Sequence, residues 1–139
     1  MIPPRSPWGL IQEDLWPDEW KILVSCILLN RTTRKQVEKV LPSLFSAFPD
    51  AASMSSADQD SLSQIIARLG FKNRRAKTLI EFSKKYLAKT WSDAGELPGV
   101  GDYARSAWII FCKNLLPKKE PVDHALVKYY RWRKIHEER

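Results

Sequence analysis

Residues 97–101 read Leu97-Pro98-Gly99-Val100-Gly101, a tight-turn signature set directly before an apolar run of helical character, Tyr103–Phe111. Two glycines two apart ahead of a helix allow a turn whose backbone N–H groups lack side-chain cover and can point at an anion. Further on, Pro121-Val122-Asp123-His124 opens a last helix and places a lone Asp at its start. Such an Asp is either an N-cap or a group available for chemistry, and position alone leaves both readings open.

The charge balance narrows the partners. The chain has 139 residues, about one domain and enough to bury a core, with 23 Lys and Arg against 16 Asp and Glu, a net charge of +7. That excess favours a polyanionic partner, nucleic acid first and an acidic membrane surface second. The longest apolar run, Ile22–Leu29, is interrupted by Ser25 and Cys26 and falls far short of the roughly 20 residues a bilayer requires. No secretory signal is expected before it. Cys26 and Cys112 lie in apolar runs and read as buried free thiols of a reducing compartment, with a single disulfide left open. Without Cys-x-x-Cys or a Cys/His cluster, neither a zinc site nor an iron–sulfur cluster is expected.

The remaining pattern is helical. Met1–Pro7 is a proline-rich extended arm, and Trp8–Trp16 a short helix or turn. Asp18 offers a cap for Glu19–Asn30, whose Trp20, Ile22, Leu23, Val24, Ile27, Leu28 and Leu29 leave almost no polar face and predict a central, buried helix. Asn30-Arg31-Thr32-Thr33 is a polar break whose threonines can cap the helix after it. There Val37, Val40, Leu41, Leu44, Phe45 and Phe48 recur at helical period, with a kink or new start predicted at Pro42. Leu62, Ile65, Ile66 and Leu69 form the next stripe, closed by Gly70. After Phe71 and the basic run Lys72-Asn73-Arg74-Arg75-Ala76-Lys77, a helix continues to Trp91. One helical turn fits Ser92–Glu96. A helix from Asp102 follows, then a lysine-bearing loop at 115–120 and a terminal helix over 123–135. No strand-like alternation appears, so the fold class is all-α, with about eight short helices in one domain, 1–139.

A helix, then Leu97-Pro98-Gly99-Val100-Gly101, then a helix resembles the hairpin of the helix-hairpin-helix DNA repair glycosylases, all the more with an Asp 22 positions beyond Gly101. Leu10-Ile11-Gln12-Glu13, Leu28-Leu29-Asn30-Arg31-Thr32, Leu69-Gly70-Phe71, Arg75-Ala76-Lys77-Thr78, Gly99-Val100-Gly101-Asp102-Tyr103, Ile110-Phe111-Cys112 and Pro121-Val122-Asp123-His124 are similar, in order and spacing, to one branch of them. That branch is the glycosylase domain of the methyl-CpG-binding-domain mismatch glycosylases and their plant and fungal relatives. The resemblance implies a two-lobed helical fold and a nuclear, monomeric, cofactor-free base-excision enzyme. It would remove thymine or uracil mispaired with guanine in double-stranded DNA.

It also implies roles. Asp123 is the catalytic carboxylate, since cleaving an N-glycosidic bond builds positive charge on the sugar, which a nearby anion stabilises while orienting the attacking water. Tyr103 stands where bifunctional relatives carry a lysine that forms a Schiff base. A phenol cannot do so, which implies a monofunctional enzyme with Tyr103 lining the pocket. Because the base must be flipped out, something fills the gap. Arg31 matches the residue that enters it, and Phe71 matches an apolar wedge that is leucine in close relatives. Gln12 matches a pocket glutamine, while Gly99, Val100, Gly101, Lys72 and Arg75 are the expected phosphate contacts.

Asp102 departs from the Lys or Arg of many such hairpins and sets a negative charge beside the phosphate site. Thr32-Thr33-Arg34 departs from Thr-Ser-Gly, predicting a stiffer and more basic loop. Two rival readings stay open: a non-catalytic hairpin module that binds DNA with Asp123 only a cap, and a same-fold glycosylase for another damaged base. The abrupt ends suggest a domain of a longer protein.

Overall fold

The nearly all-apolar stretch after Asp18 folds as α2 (Glu19–Leu28) in a computed structural model that describes residues 6–117, 121 and 124–137, with backbone only at 124, 125, 136 and 137. Before it lies α1 (Ile11–Leu15). After it come α3 (Arg34–Ala47), α4 (Ala51–Ser55), α5 (Gln59–Ile65), a 3-10 turn at Ala67–Leu69, α6 (Lys72–Ala88), a second 3-10 turn at Ala94–Glu96, α7 (Asp102–Phe111) and α8 (His124–Glu137). The described residues contain no strand, so the protein is all-α as its periodicity predicts.

The missing polar face of α2 has a packing reason. Trp20, Leu23, Val24, Ile27 and Leu28 enter one core with residues of α3, α5 and α6, including Val40, Leu44, Leu62, Leu79 and Phe82. Ile22 and Cys26 turn the other way, into a second core with Ala104, Ala107, Ile110 and Phe111 of α7 and Leu126 and Tyr129 of α8. One helix thus belongs to two lobes. Each large side chain it buries contributes about 1.5–3 kcal/mol, which outweighs the modest β-branched penalty of Ile22, Val24 and Ile27.

Polar pins tie the helices together. Glu19 accepts the Tyr86 hydroxyl of α6 at 3.0 Å and the Trp108 indole N–H of α7 at 2.9 Å. Burial, reinforced by the Glu19 charge, pushes the Tyr86 phenol well above its ordinary pKa. From α8, the buried Arg133 donates to Ile110 O at 2.9 Å and Asn114 O at 3.3 Å, satisfying carbonyls that the end of α7 leaves open.

Local signals set the boundaries. Asp18 accepts the Lys21 N–H at 3.0 Å, and Thr33 the Gln36 N–H at 3.2 Å. Asp50 and Asp58 cap α4 and α5 in the same way. Gly70, at φ +80°, closes the preceding turn. Pro42 does not start a new helix, because α3 runs unbroken from Arg34 to Ala47. The proline faces solvent, where water can take the carbonyl it frees, while Val40, Leu41 and Leu44 hold the opposite face in the core. The last helix is placed at His124–Glu137, close to the predicted 123–135. Both cysteines are free thiols, Cys26 buried and Cys112 half-buried. None of the described helices is long and apolar enough to cross a membrane.

Candidate DNA-processing site

The hairpin follows from turn chemistry. Pro98 and Gly99 hold the middle of a turn in which the Val100 N–H donates to Leu97 O at 3.2 Å, and Gly99 takes φ +80°. Proline second and glycine third is the type II pattern, in which only the third residue must be left-handed. Gly99 is also closely hemmed in, since a Cβ there would lie 2.6 Å from Thr78 Cγ2 of α6 and 3.2 Å from Ile27 Cγ2 of α2. Gly101 differs. Its φ of −97° is open to any residue, and among the described residues a Cβ would meet nothing within 4 Å. Among the described residues nothing asks for a glycine there, which leaves its bareness open to an outside partner. Among the described residues no acceptor takes the N–H of Gly99, Gly101 or Asp102, whereas that of Val100 is used within the turn. Unclaimed amides at the N-terminus of α7 make an anion-binding edge.

Two shallow spaces meet here. A cleft of ≈ 260 Å³ is lined by Cys26, Asn30, Arg31, Gly99, Gly101 and Tyr103, among others. An adjoining groove of ≈ 280 Å³ is lined by Asn30, Arg31, Phe71, Arg74, Arg75 and Gly99, among others. Arg31, Asn30 and Gly99 border both. Behind the cleft, the buried Gln12 donates through Nε2 to the Tyr103 hydroxyl at 2.6 Å and to Cys26 Sγ at 3.3 Å. Gln12, Tyr103, Arg31, Phe71 and the hairpin, scattered over 92 positions of sequence from 12 to 103, are therefore brought together. Asp123 lies outside the described residues, as do Lys118 and Lys119.

Arg31 and Phe71 share an uncommon backbone. Arg31 has φ +65° and Phe71 φ +48°, the left-handed region that bulky L residues avoid. Such strain persists only where surrounding structure imposes it, and it gathers at functional sites. Phe71 is 65% exposed, an apolar ring held out into solvent at the groove's edge.

The α6 N-terminus is electrically unusual. Its first turn carries Lys72, Arg74 and Arg75 and no acid, and its cap position, Phe71, gives no side-chain hydrogen bond. Cations there oppose the helix dipole, which favours anions at that end. Lys72 and Arg74 are exposed. Arg75 instead turns inward, donating to Leu28 O at 3.1 Å and Asn30 O at 2.9 Å. Arg34, expected to make the neighbouring loop more basic, is paired with Glu38 at 2.6 Å and also donates to the Trp8 and Gly9 carbonyls. Asn30 and Cys26 line the cleft without a site role expected from sequence. Asn30 belongs to the Leu28–Thr32 segment that carries the resemblance, but a thiol in an apolar helix carries no outward signal.

A helical fold with a glycine hairpin, a strained arginine and an exposed phenylalanine around one cleft defines a class of DNA-repair domain. The chain belongs to the HhH-GPD superfamily of base excision DNA repair proteins, whose family profile matches residues 24–136. It is 37% identical over 134 residues to the methyl-CpG-binding domain protein 4-like protein of Arabidopsis thaliana, covering 96% of this chain and 30% of that one. It is 38% identical over 96 residues to a thymine-DNA glycosylase of Aeropyrum pernix, covering 64% of this chain and 43% of that one. The solved structure of a thermostable thymine-DNA glycosylase superposes with TM-score 0.64 at 25% identity, covering 70% of this chain and 48% of that one. A trapped endonuclease III–DNA covalent intermediate, at TM-score 0.63 and 18% identity over 74% of this chain and 56% of that one, shares the fold. The chain spans less than half the length of these two sequence relatives.

Proposed function

We propose that this domain is a monofunctional DNA N-glycosylase that removes thymine or uracil mispaired with guanine from double-stranded DNA, leaving an intact abasic site. The observation that carries the reading is the pairing of Arg31 and Phe71, each held in a left-handed backbone, across a groove beside the hairpin. One side chain enters the space of the flipped nucleotide while the other props the opposite strand. Flipping costs a few kcal/mol, which a mismatch partly offsets.

In this reading the hairpin amides of Gly99 and Gly101, with Lys72, grip phosphates. The flipped pyrimidine enters the cleft before Tyr103 and Gln12. Asp123, as carboxylate, stabilises positive charge developing on the sugar as the C–N bond breaks and orients the water that completes hydrolysis. Tyr103 has no amine to form a Schiff base, so strand scission is not part of the reaction. The domain acts as a monomer, with neither metal nor organic cofactor in the proposed step.

A single-turnover assay on G·T and G·U duplexes tests this. The expected product is an abasic site cleaved only by alkali, with Asp123→Asn slower by about a hundredfold or more. Salt-dependent duplex binding without any abasic product would instead identify a non-catalytic hairpin module. Nicking without alkali would contradict the monofunctional assignment.

A further inference from the structure

We propose that Arg75 is a positioning residue, whose guanidinium fixes the α2–α3 turn so that Arg31 faces Phe71 across the groove in the geometry needed to enter a vacated base space. The inference rests on the base-flipping reading above and differs from a phosphate contact, the role its place in a basic run suggests.

The conformation of Arg31 is set by the two peptide planes around it. The plane before it carries Asn30 O, which accepts from Arg75 Nη2 at 2.9 Å. The plane after it carries the Thr32 N–H, which donates to Leu29 O at 3.3 Å. With both planes anchored, the φ of +65° at Arg31 is imposed rather than chosen. Arg75 Nη1 adds a bond to Leu28 O at 3.1 Å, the carbonyl that also accepts the Thr32 hydroxyl. Only a planar fork can reach carbonyls two residues apart with this spacing, and the α2 C-terminal dipole favours a cation there.

Arg75 is linked to Phe71 through the backbone of the first turn of α6. Its own N–H donates to Phe71 O at 2.9 Å, so one residue holds Phe71 through its backbone and the Arg31 turn through its side chain. Those strained residues lie 40 positions apart and share no other described hydrogen-bonded link. Arg75 Nε is buried and, among the described residues, has no hydrogen-bond partner. Burial also lowers the guanidinium pKa, as expected of a group withdrawn from solvent. A phosphate-binding arginine would be more exposed, as Lys72 and Arg74 are.

The test compares Arg75→Met and Arg75→Lys, each alone and combined with Arg31→Ala. Three readouts apply: salt dependence of G·T duplex binding, hydrogen exchange at the Asn30 and Thr32 amides, and single-turnover excision alongside 2-aminopurine fluorescence beside the mismatch. For Arg75→Met the salt slope should stay unchanged, whereas loss of a phosphate contact would lower it by about 1. Exchange at the two amides should quicken about tenfold, and flipping and excision should fall about tenfold as the insertion-ready population shrinks. In the Arg31→Ala background the same change should cost less than about twofold, because Arg75 acts through Arg31. Arg75→Lys keeps the charge and stem, so it reports even where Met does not fold, with an expected loss of about threefold. A reduced salt slope with unaltered exchange would overturn the proposal, as would equal losses in both backgrounds. If wild-type protein excises nothing, the glycosylase reading fails, while exchange and salt slope still decide the role of Arg75.

Discussion

Gly99→Ala and Gly101→Ala, two positions apart in one hairpin, should behave as opposites. At Gly99 the φ of +80° costs an L residue about 1–2 kcal/mol. The new methyl would also stand 2.6 Å from Thr78 Cγ2 and 3.2 Å from Ile27 Cγ2. Both atoms belong to β-branched side chains on helices, whose χ1 is stiff, so neither swings aside cheaply. Overpacking of that kind costs about 1–3 kcal/mol. The sum, about 2–5 kcal/mol, is a large part of the 5–15 kcal/mol typical of a domain. At about 3 °C per kcal/mol for a chain of this length, Tm should fall by about 6–15 °C. At Gly101 the backbone is unstrained and the space open among the described residues, so alanine should leave Tm unchanged or raise it by restricting the unfolded chain. Its methyl would instead cover the surface where a phosphate should sit. Thermal unfolding by circular dichroism and duplex titration at fixed salt separate the two effects. Gly99→Ala within 2 °C of wild type would refute the close-packing argument. Gly101→Ala with undiminished duplex affinity would refute the claim that its bareness serves an outside partner.

Phe71→Gly removes an exposed ring from a left-handed position, so it should cost no stability and give a Tm equal to wild type or up to about 3 °C higher, while base flipping weakens. A fall in Tm beyond 3 °C would mean that the ring packs for stability. Tyr86→Phe removes one donor from Glu19 and should cost about 1–2 kcal/mol in urea unfolding at pH 7. Because the Tyr86 pKa is raised in the folded state, that contribution is present below an ordinary phenol pKa and declines as pH rises through about 10, so wild type and variant should converge in alkali. Asp93→Asn tests the opposite sign. The Arg105 bond, then the Gly95 N–H, holds the Asp93 carboxyl below its usual range, so its contribution exists at neutral pH and fades as pH falls through that lowered pKa. The pair is exposed, so the difference at pH 7 should stay below about 1 kcal/mol and vanish in acid.

What the sequence made legible is what local chemistry controls. Asp18 and Thr33 cap helices through bonds to backbone three residues on, and Pro98-Gly99 carries its turn type in its own letters. The apolar stretch at Trp20–Leu29 announced burial, though not that two cores would divide it. Pro42 leaves a kink or a new start open, and no new start occurs because a helix tolerates proline on a solvated face, and which face is solvated depends on the rest of the fold. Arg75 was unreadable for another reason. Its partners are backbone carbonyls 45 and 47 positions away, and a carbonyl has no identity in sequence. The left-handed states of Arg31 and Phe71 are equally silent, since nothing in either residue favours them.

The two helix N-termini beside the groove are charged in opposite senses, and this changes which one should draw a duplex in. α7 starts with Asp102, which complements its own dipole, so an incoming phosphate at the hairpin meets a carboxylate as well as free amides. α6 starts with exposed Lys72 and Arg74 against its dipole, an arrangement that costs a few tenths of a kcal/mol per cation until an anion arrives. A phosphate near Lys72 and Arg74 relieves that repulsion in addition to pairing with the side chains. For a duplex bound as proposed, the long-range attraction therefore belongs to α6, directly behind Phe71, and the hairpin supplies close geometric fit through amides that screening by salt affects less. On that proposal the strained Phe71 is carried on the element that anchors the strand most firmly, which is where a residue that must push against stacked bases needs its support.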